Sequence, residues 1–186
     1  MGTEKRYLEV RQSIKKNILS KKNYRNLQKA LFIDRDNTII KCKINNYILS
    51  LDDVCFLDRN IEKLASLSKE FSIICIVTNQ PQIAMNKLSL QELENINNYI
   101  IHYCRAKSLL IDTVSWCPHH PHKGYESENE ILKTDCFCRK PKPGMLLQLA
   151  YERNIDLKSS LFVGDSHVDE KAAKSAGCGF INIFNL

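Results

Sequence analysis

The chain has 186 residues, 44% of them hydrophobic and 26% charged, with a net charge of +6 and eight cysteines, which is ordinary globular composition with length for one sizeable core. No run of about 18 apolar residues is present to span a bilayer, and Met1-Gly2-Thr3-Glu4-Lys5-Arg6 leads into charged sequence without the apolar core of a secretory signal. A cytoplasmic protein without a membrane segment is expected.

Lys15, Lys16, Lys21, Lys22, Arg25 and Lys29 concentrate positive charge at the start. Residues 1–28 read as a basic N-terminal extension, a solvated helical arm, and residues 29–186 as the folded domain. Only Tyr7 and Tyr24 interleave with these cations, too few aromatics for single-stranded nucleic-acid binding.

The first strand is expected over 31–34, where Leu31-Phe32-Ile33 delivers Asp34 and Asp36 to the end of a buried strand. Residues i and i+2 of extended chain point to one side, and as the backbone begins to turn the two carboxylates can share a crevice in different roles. One can attack and the other move protons; an acidic turn after a strand is the plain alternative. A short extended piece falls within 52–57 and a helix over 61–70. Phe71-Ser72-Ile73-Ile74-Cys75-Ile76-Val77 then reads as a second buried, parallel strand. Thr78-Asn79-Gln80 follows it. The hydroxyl and amides can donate to phosphate oxygens, although a strand-terminating turn would have the same composition.

Ser89-Leu90-Gln91-Glu92 has the capping-box pattern and opens a helix reaching about Lys107, with Leu93, Ile96, Ile100 and Ile101 at helical spacing. A strand over 111–116 precedes a long polar insertion. Five cysteines (Cys42, Cys55, Cys75, Cys104, Cys178) are scattered and read as small hydrophobes. Cys117, Cys136 and Cys138 lie close to histidines, the pattern of a metal site more than of disulfides. Arg139-Lys140-Pro141-Lys142-Pro143 places cations before a helix near 143–153. A site with several carboxylates needs such a cation to hold them together and to offset transition-state charge. Lys140 is the candidate, with Arg139 reaching the substrate and Lys142 equally a surface charge. A strand at 160–164 ends in Asp165, which could join Asp34 in holding Mg²⁺. Asp169 could support them or face solvent near a helix start, and His167 reads as a loop residue. A helix over about 168–176 ends at Gly177, and Ile181-Asn182-Ile183 completes the sheet. This alternation implies an α/β fold with a doubly wound parallel sheet, whose ligands bind at the carboxyl ends of the strands.

These four stretches, in this order, resemble the four motifs of the haloacid-dehalogenase-like (HAD) phosphohydrolases, over roughly residues 29 to 184. The resemblance implies a capless Rossmann-like domain in which Asp34 attacks phosphorus to give an aspartyl-phosphate. Asp36 would protonate the leaving alcohol and then activate water. Mg²⁺ would lie between Asp34, the Asp36 backbone carbonyl and Asp165, with Thr78 and Lys140 holding the phosphoryl oxygens and Asn79 contacting the substrate. The insertion Trp116-Cys117-Pro118-His119-His120-Pro121 and Cys136-Phe137-Cys138-Arg139-Lys140-Pro141 resembles the zinc loop of the heptose-bisphosphate and histidinol-phosphate phosphatases. It implies structural Zn²⁺ on Cys117, His119, Cys136 and Cys138, with His120 and His122 as loop residues. The wording is nearer the heptose branch, which implies a small phosphosugar substrate and carbohydrate metabolism. A monomer without a nucleic-acid or membrane partner is expected. The alternative of another class is a weakly catalytic HAD-like scaffold that binds a partner. Two positions depart from the pattern. Asn37 stands where glycine is common, and asparagine is the residue that best tolerates left-handed backbone after glycine. Met85 stands where the heptose branch has a substrate-binding arginine, removing a bidentate partner for phosphate.

Overall fold

Four consecutive apolar residues, Ala30–Ile33, form β1, and all four side chains are fully buried. A strand can be apolar on both faces only when both are covered, and alternation along β1 shows how. Leu31 and Ile33 face one core; Ala30 and Phe32 face the other. The computed structural model describes residues 25–42, 47–122, 124 and 127–186; the basic segment 1–24 lies outside them.

After β1 come a two-residue strand β2 (Ile40–Lys41), its antiparallel partner β3 (Cys55–Phe56) and helix α1 (Asp58–Leu67). Next are β4 (Ile73–Asn79), α2 (Leu90–Ala106) and β5 (Thr113–Cys117). The chain ends in α3 (Gly144–Arg153), β6 (Leu161–Gly164), α4 (His167–Ala176) and β7 (Gly179–Asn182). The main sheet is five-stranded and parallel, ordered β5-β4-β1-β6-β7. Strand order runs outward from β1 to β5 and then restarts on the other side of β1 at β6. The crevice at that reversal, beyond the carboxyl ends of β1, β4 and β6, is where a doubly wound sheet takes its ligand.

Ile61 and Leu64 of α1 and Leu93, Ile96, Ile100 and Cys104 of α2 cover the face presenting Leu31, Ile33, Ile74 and Ile76. Met145, Leu146 and Leu149 of α3 with Ala172 and Ala173 of α4 cover Phe32, Cys75 and Val77. The sheet is therefore wrapped on both sides, as the sequence predicts.

Boundaries differ in instructive ways. β4 begins and ends two residues later than the expected 71–77, because β5 pairs with it as far as Asn79↔Cys117; Thr78 is thus held inside the ladder. The helix expected over 61–70 starts at Asp58 and tightens into a 3₁₀ turn over Ser68–Glu70. α2 opens at the capping box expected, where Ser89 Oγ accepts from the Glu92 amide and Glu92 returns to the Ser89 amide. Gln28, assigned by sequence to the extension, is bonded to the domain: its amide donates to Asn154 and its carbonyl accepts from Asp156. Among the described residues, no helix is long and apolar enough to cross a membrane.

Candidate active site

Asp34 follows β1 directly, its amide donating to Val163 of β6 at 2.9 Å, so its carboxylate is fixed at the reversal crevice. Lys140, which arrives from the long insertion, is buried there. Its ammonium donates to Asp34 Oδ1 and Asp169 Oδ1, both at 2.6 Å, and to the Val77 carbonyl at 2.9 Å. One cation thus ties the ends of β1 and β4 to the start of α4. Burial chiefly pushes Asp34 up to about 7; Lys140 opposes that rise, while Asp169 and Asp36 add to it. Lys140 moves upward too, since Asp34 and Asp169 outweigh the burial that would lower it.

Asp169 resolves into a supporting role. It is buried, and its second oxygen accepts from the amide and hydroxyl of Ser166, closing the N-terminal box of α4. The approach is so close that a Cβ on Gly164 would lie 2.6 Å from Asp169 Oδ2. Asp165 follows β6, its backbone carbonyl accepting from Asn182 Nδ2. Burial raises its carboxyl, as does Asp169, and a hydrogen bond from the Asn37 side chain opposes the rise. Carboxylate oxygens of Asp34, Asp165 and Asp169 lie within 4.8 Å of one another, a donor set that fits a hard divalent cation.

Asn37 has φ +59°, the left-handed conformation. Its side chain compensates for the missing glycine in two directions: Oδ1 accepts from the Cys42 amide at 2.9 Å, and the side chain also bonds Asp165. Asp36 faces the same crevice. Its Oδ1 accepts from Arg35 Nη2 and Nε, and its Oδ2 from Gln80 Nε2 at 3.0 Å and Thr78 Oγ1 at 3.3 Å. The cavity so formed, about 240 Å³, is lined by Asp34, Asp36, Asn37, Thr78, Lys140 and Asp165 among others. A second recess of about 340 Å³ adjoins it, sharing Asn79 and Lys140 and adding His122, Asp135, Arg139 and Lys142.

Asn79 lines both recesses, yet its amide is committed to the backbone of Lys140: Nδ2 donates to the carbonyl and Oδ1 accepts from the amide, each at 3.0 Å. It therefore fixes Lys140, where the sequence suggests a substrate contact. Arg139 spends Nη1 on the His119 carbonyl and borders the second recess. Lys142 is half-exposed and paired with Asp135. Met85 is buried, so the turn it belongs to presents no cation from that position.

Cys117, His119, Cys136 and Cys138 converge. The thiol sulfurs are 3.2 to 3.4 Å apart and His119 Nδ1 lies 3.3 to 3.5 Å from two of them. Cys117, Cys136 and Cys138 form no disulfide. A tetrahedral site with Zn–S bonds of about 2.3 Å has edges of roughly 3.8 Å, so a small expansion of this cluster accommodates zinc. Burial, with the neighbouring Cys138 thiol, pushes Cys117 well above its ordinary value, a proton that a bound metal displaces. His120 and His122 bond each other's loop segment instead.

The residues that sequence reasoning missed are Arg35 and Asn97, while Gln80, read there as part of a phosphate-facing turn, spends its amide on Arg35, Asp36 and Thr78. Arg35 is fully buried, donating to Asp36, to Gln80 Oε1 at 2.8 Å and to Asn97 Oδ1 at 3.1 Å. A charged residue between two site carboxylates on a buried strand's exit needs partners of this kind, and that was the available signal.

Comparisons with known proteins agree with this geometry. A family model, Polynucleotide kinase 3 phosphatase, matches residues 29–177. The D-glycero-beta-D-manno-heptose-1,7-bisphosphate 7-phosphatase of Pasteurella multocida is 36% identical over 151 residues, 81% of this chain and 78% of that protein. Its namesake in Escherichia coli K12 is 33% identical over 150 residues, 81% and 75% of the two chains. A crystal structure of D,D-heptose 1,7-bisphosphate phosphatase from B. bronchiseptica, complexed with magnesium and phosphate, superposes with a TM-score of 0.70 at 27% identity, covering 82% of this chain and 78% of that one. A putative HAD-like phosphatase from Mesorhizobium loti gives a TM-score of 0.73 at 28% identity, covering 82% and 70%.

Proposed function

Because the chain belongs to the polynucleotide kinase 3 phosphatase family of HAD-like phosphatases, we propose that it hydrolyses a small phosphosugar monoester through an aspartyl-phosphate on Asp34, with D-glycero-D-manno-heptose 1,7-bisphosphate, cleaved at position 7, as the leading substrate. The observation that carries the reading is the Lys140 ammonium bridging Asp34 and Asp169 in the crevice that Asp36, Thr78 and Asp165 also face.

The chemistry follows from these positions. An Asp34 carboxylate oxygen forms a bond to phosphorus as the bond from phosphorus to the sugar oxygen breaks. Asp36 gives its proton to that departing oxygen. Asp36, now a carboxylate, takes a proton from water, whose oxygen attacks the aspartyl-phosphate, releasing inorganic phosphate and restoring Asp34. Lys140 offsets the negative charge gathered around Asp34. Thr78, whose bond to Asp36 is among the longer ones at 3.3 Å, can turn its hydroxyl to a phosphoryl oxygen. Asp34, Asp165 and the Asp36 backbone carbonyl would hold Mg²⁺, which supplies positive charge to the phosphoryl oxygens when bound. Cys117, His119, Cys136 and Cys138 would hold structural Zn²⁺ and thereby steady Arg139 and Lys140. Arg139, beside the second recess, would meet the body of the substrate. The reading extends to a monomeric cytoplasmic enzyme in which the residues before Gln28 are an extension outside the phosphatase domain.

The test is phosphate release with Mg²⁺ from heptose 1,7-bisphosphate, other sugar phosphates and bisphosphates, histidinol phosphate and a 3′-phosphorylated oligonucleotide, with Asp34→Asn as control. Release from the heptose at position 7, lost in the variant, is expected. Preference for histidinol phosphate or the oligonucleotide would overturn the phosphosugar assignment, and release that survives Asp34→Asn would overturn the mechanism.

A further inference from the structure

Asn97 sits in the middle of α2 and is buried on the helix face that also carries Leu93, Ile96, Ile100 and Cys104. Asparagine is a poor helix-interior residue, and its amide is costly to bury without a partner. Its Oδ1 accepts from Arg35 Nη1 at 3.1 Å. Arg35 in turn has no exposed surface, and each of its terminal groups is assigned: Nη1 to Asn97, Nη2 to Gln80 and Asp36, Nε to Asp36. Gln80 is oriented by the same set, its Oε1 receiving Arg35 and Gln82 while its Nε2 reaches Asp36 and Thr78.

The geometry points to Asn97 as a positioning residue for Asp36, acting through Arg35 and touching neither substrate nor reacting atoms. A guanidinium is a rigid planar fork. With Nε and Nη2 against Asp36 Oδ1, the plane of the fork decides where that carboxylate stands. Asn97 holds the remaining nitrogen, so the fork cannot tilt in its pocket. The helix that covers the far face of the sheet thereby sets the angle at which Asp36 meets the departing oxygen. The inference rests on Asp36 being the proton donor.

The test exploits leaving groups. A sugar alkoxide needs a proton to depart; p-nitrophenolate does not. Values of kcat/KM report the transfer to Asp34, before water attacks, and so isolate the donor role. They would be measured with the fastest sugar phosphate of the panel and with p-nitrophenyl phosphate, for the native chain, Asp36→Asn, Asn97→Ala and Asn97→Asp. Displacing a catalytic group by about an ångström costs on the order of a hundredfold, so Asn97→Ala should lower the sugar-phosphate value by about ten- to a hundredfold while p-nitrophenyl phosphate is nearly unaffected. Asn97→Asp keeps the acceptor and should restore most of the loss. Equal losses on both substrates, or no loss on either, with Asp36→Asn selective, would overturn the role of Asn97 alone. If Asp36→Asn itself shows no preference between leaving groups, the donor assignment falls and this inference with it. Turnover of p-nitrophenyl phosphate shows in the same assay that each variant is folded with its nucleophile in place.

Discussion

Replacing Lys140 by methionine keeps an unbranched stem against the Phe162 ring, over which the ammonium lies 5.3 Å from the centroid, and deletes only the charge. Two carboxylates, each 2.6 Å from that ammonium, then remain buried without it. Removing one partner of a buried ion pair costs about 3–5 kcal/mol. For a domain of this size, 1 kcal/mol moves Tm by about 2–4 °C, so Lys140→Met should melt about 6–20 °C lower at pH 8 in the absence of Mg²⁺. Asp34 is already pushed up to about 7 with Lys140 present, so without the cation it takes up a proton more readily. The deficit should therefore shrink as pH falls from 8 to 5.5. Lys140→Met with Asp34→Asn deletes one of the stranded charges, and coupled neighbours of this kind show interaction energies of about 0.5–3 kcal/mol. Thermal melts of the four proteins at both pH values decide the matter. A loss that is the same at pH 5.5 and unrelieved in the double variant would show that packing, not charge, accounts for it.

The Asp34 shift also has a sign for the metal-free protein. Its folded value of about 7 exceeds the ordinary 3.8, so the folded state binds the extra proton and stability falls as pH rises between those values. Added Mg²⁺ should accordingly raise Tm more at pH 8 than at pH 5.5, and an equal rise would count against Asp34 as a ligand. Gly164→Ala should displace Asp169, which its new Cβ would meet at 2.6 to 2.7 Å, lowering Tm by several degrees and phosphate release with it; a variant with native turnover would refute the tightness of that approach. The native chain should purify with zinc in near one-to-one ratio, read with a chromophoric chelator, and Cys136→Ser should lose it; retention of metal in the variant would exclude Cys136 from the site. Asn37→Gly removes both the acceptor for Cys42 and the bond to Asp165. It should weaken Mg²⁺ binding in calorimetry while changing stability by less than about 1 kcal/mol, since glycine adopts positive φ without cost.

The sheet was legible because β1 and β4 are short, apolar and unbroken by charge, the pattern of a parallel strand covered on both faces. The carboxylates Asp34 and Asp165 were legible for the same reason, being the first polar residues after such runs. Asp169 was only half legible from its charge, although Ser166-x-x-Asp169 is a helix-start pattern that draws an acidic side chain inward. The bracing of Asp36 was not legible. It depends on a helix 62 residues away in sequence turning one amide toward Arg35, and no local period encodes that pairing. Asn79 shows the limit of reasoning from residue type. An amide at a strand end suits phosphate as well as it suits a peptide group, and only the fold reveals that Lys140 takes both of its ends.

The four fully buried residues of β1 lie between two strands and under two layers of helices. A segment bonded on both edges and covered on both faces opens only when the whole domain does. The amides of β1 should thus be among the slowest to exchange with solvent, while those of the long insertion, which has little core of its own, exchange through smaller openings. Asp34, the proposed nucleophile, is therefore anchored in the last part of the molecule to yield, whereas Arg139, proposed to meet the body of the substrate, arrives on the part that yields first. Partial unfolding of this enzyme should erase recognition of substrate while leaving Asp34 where it was.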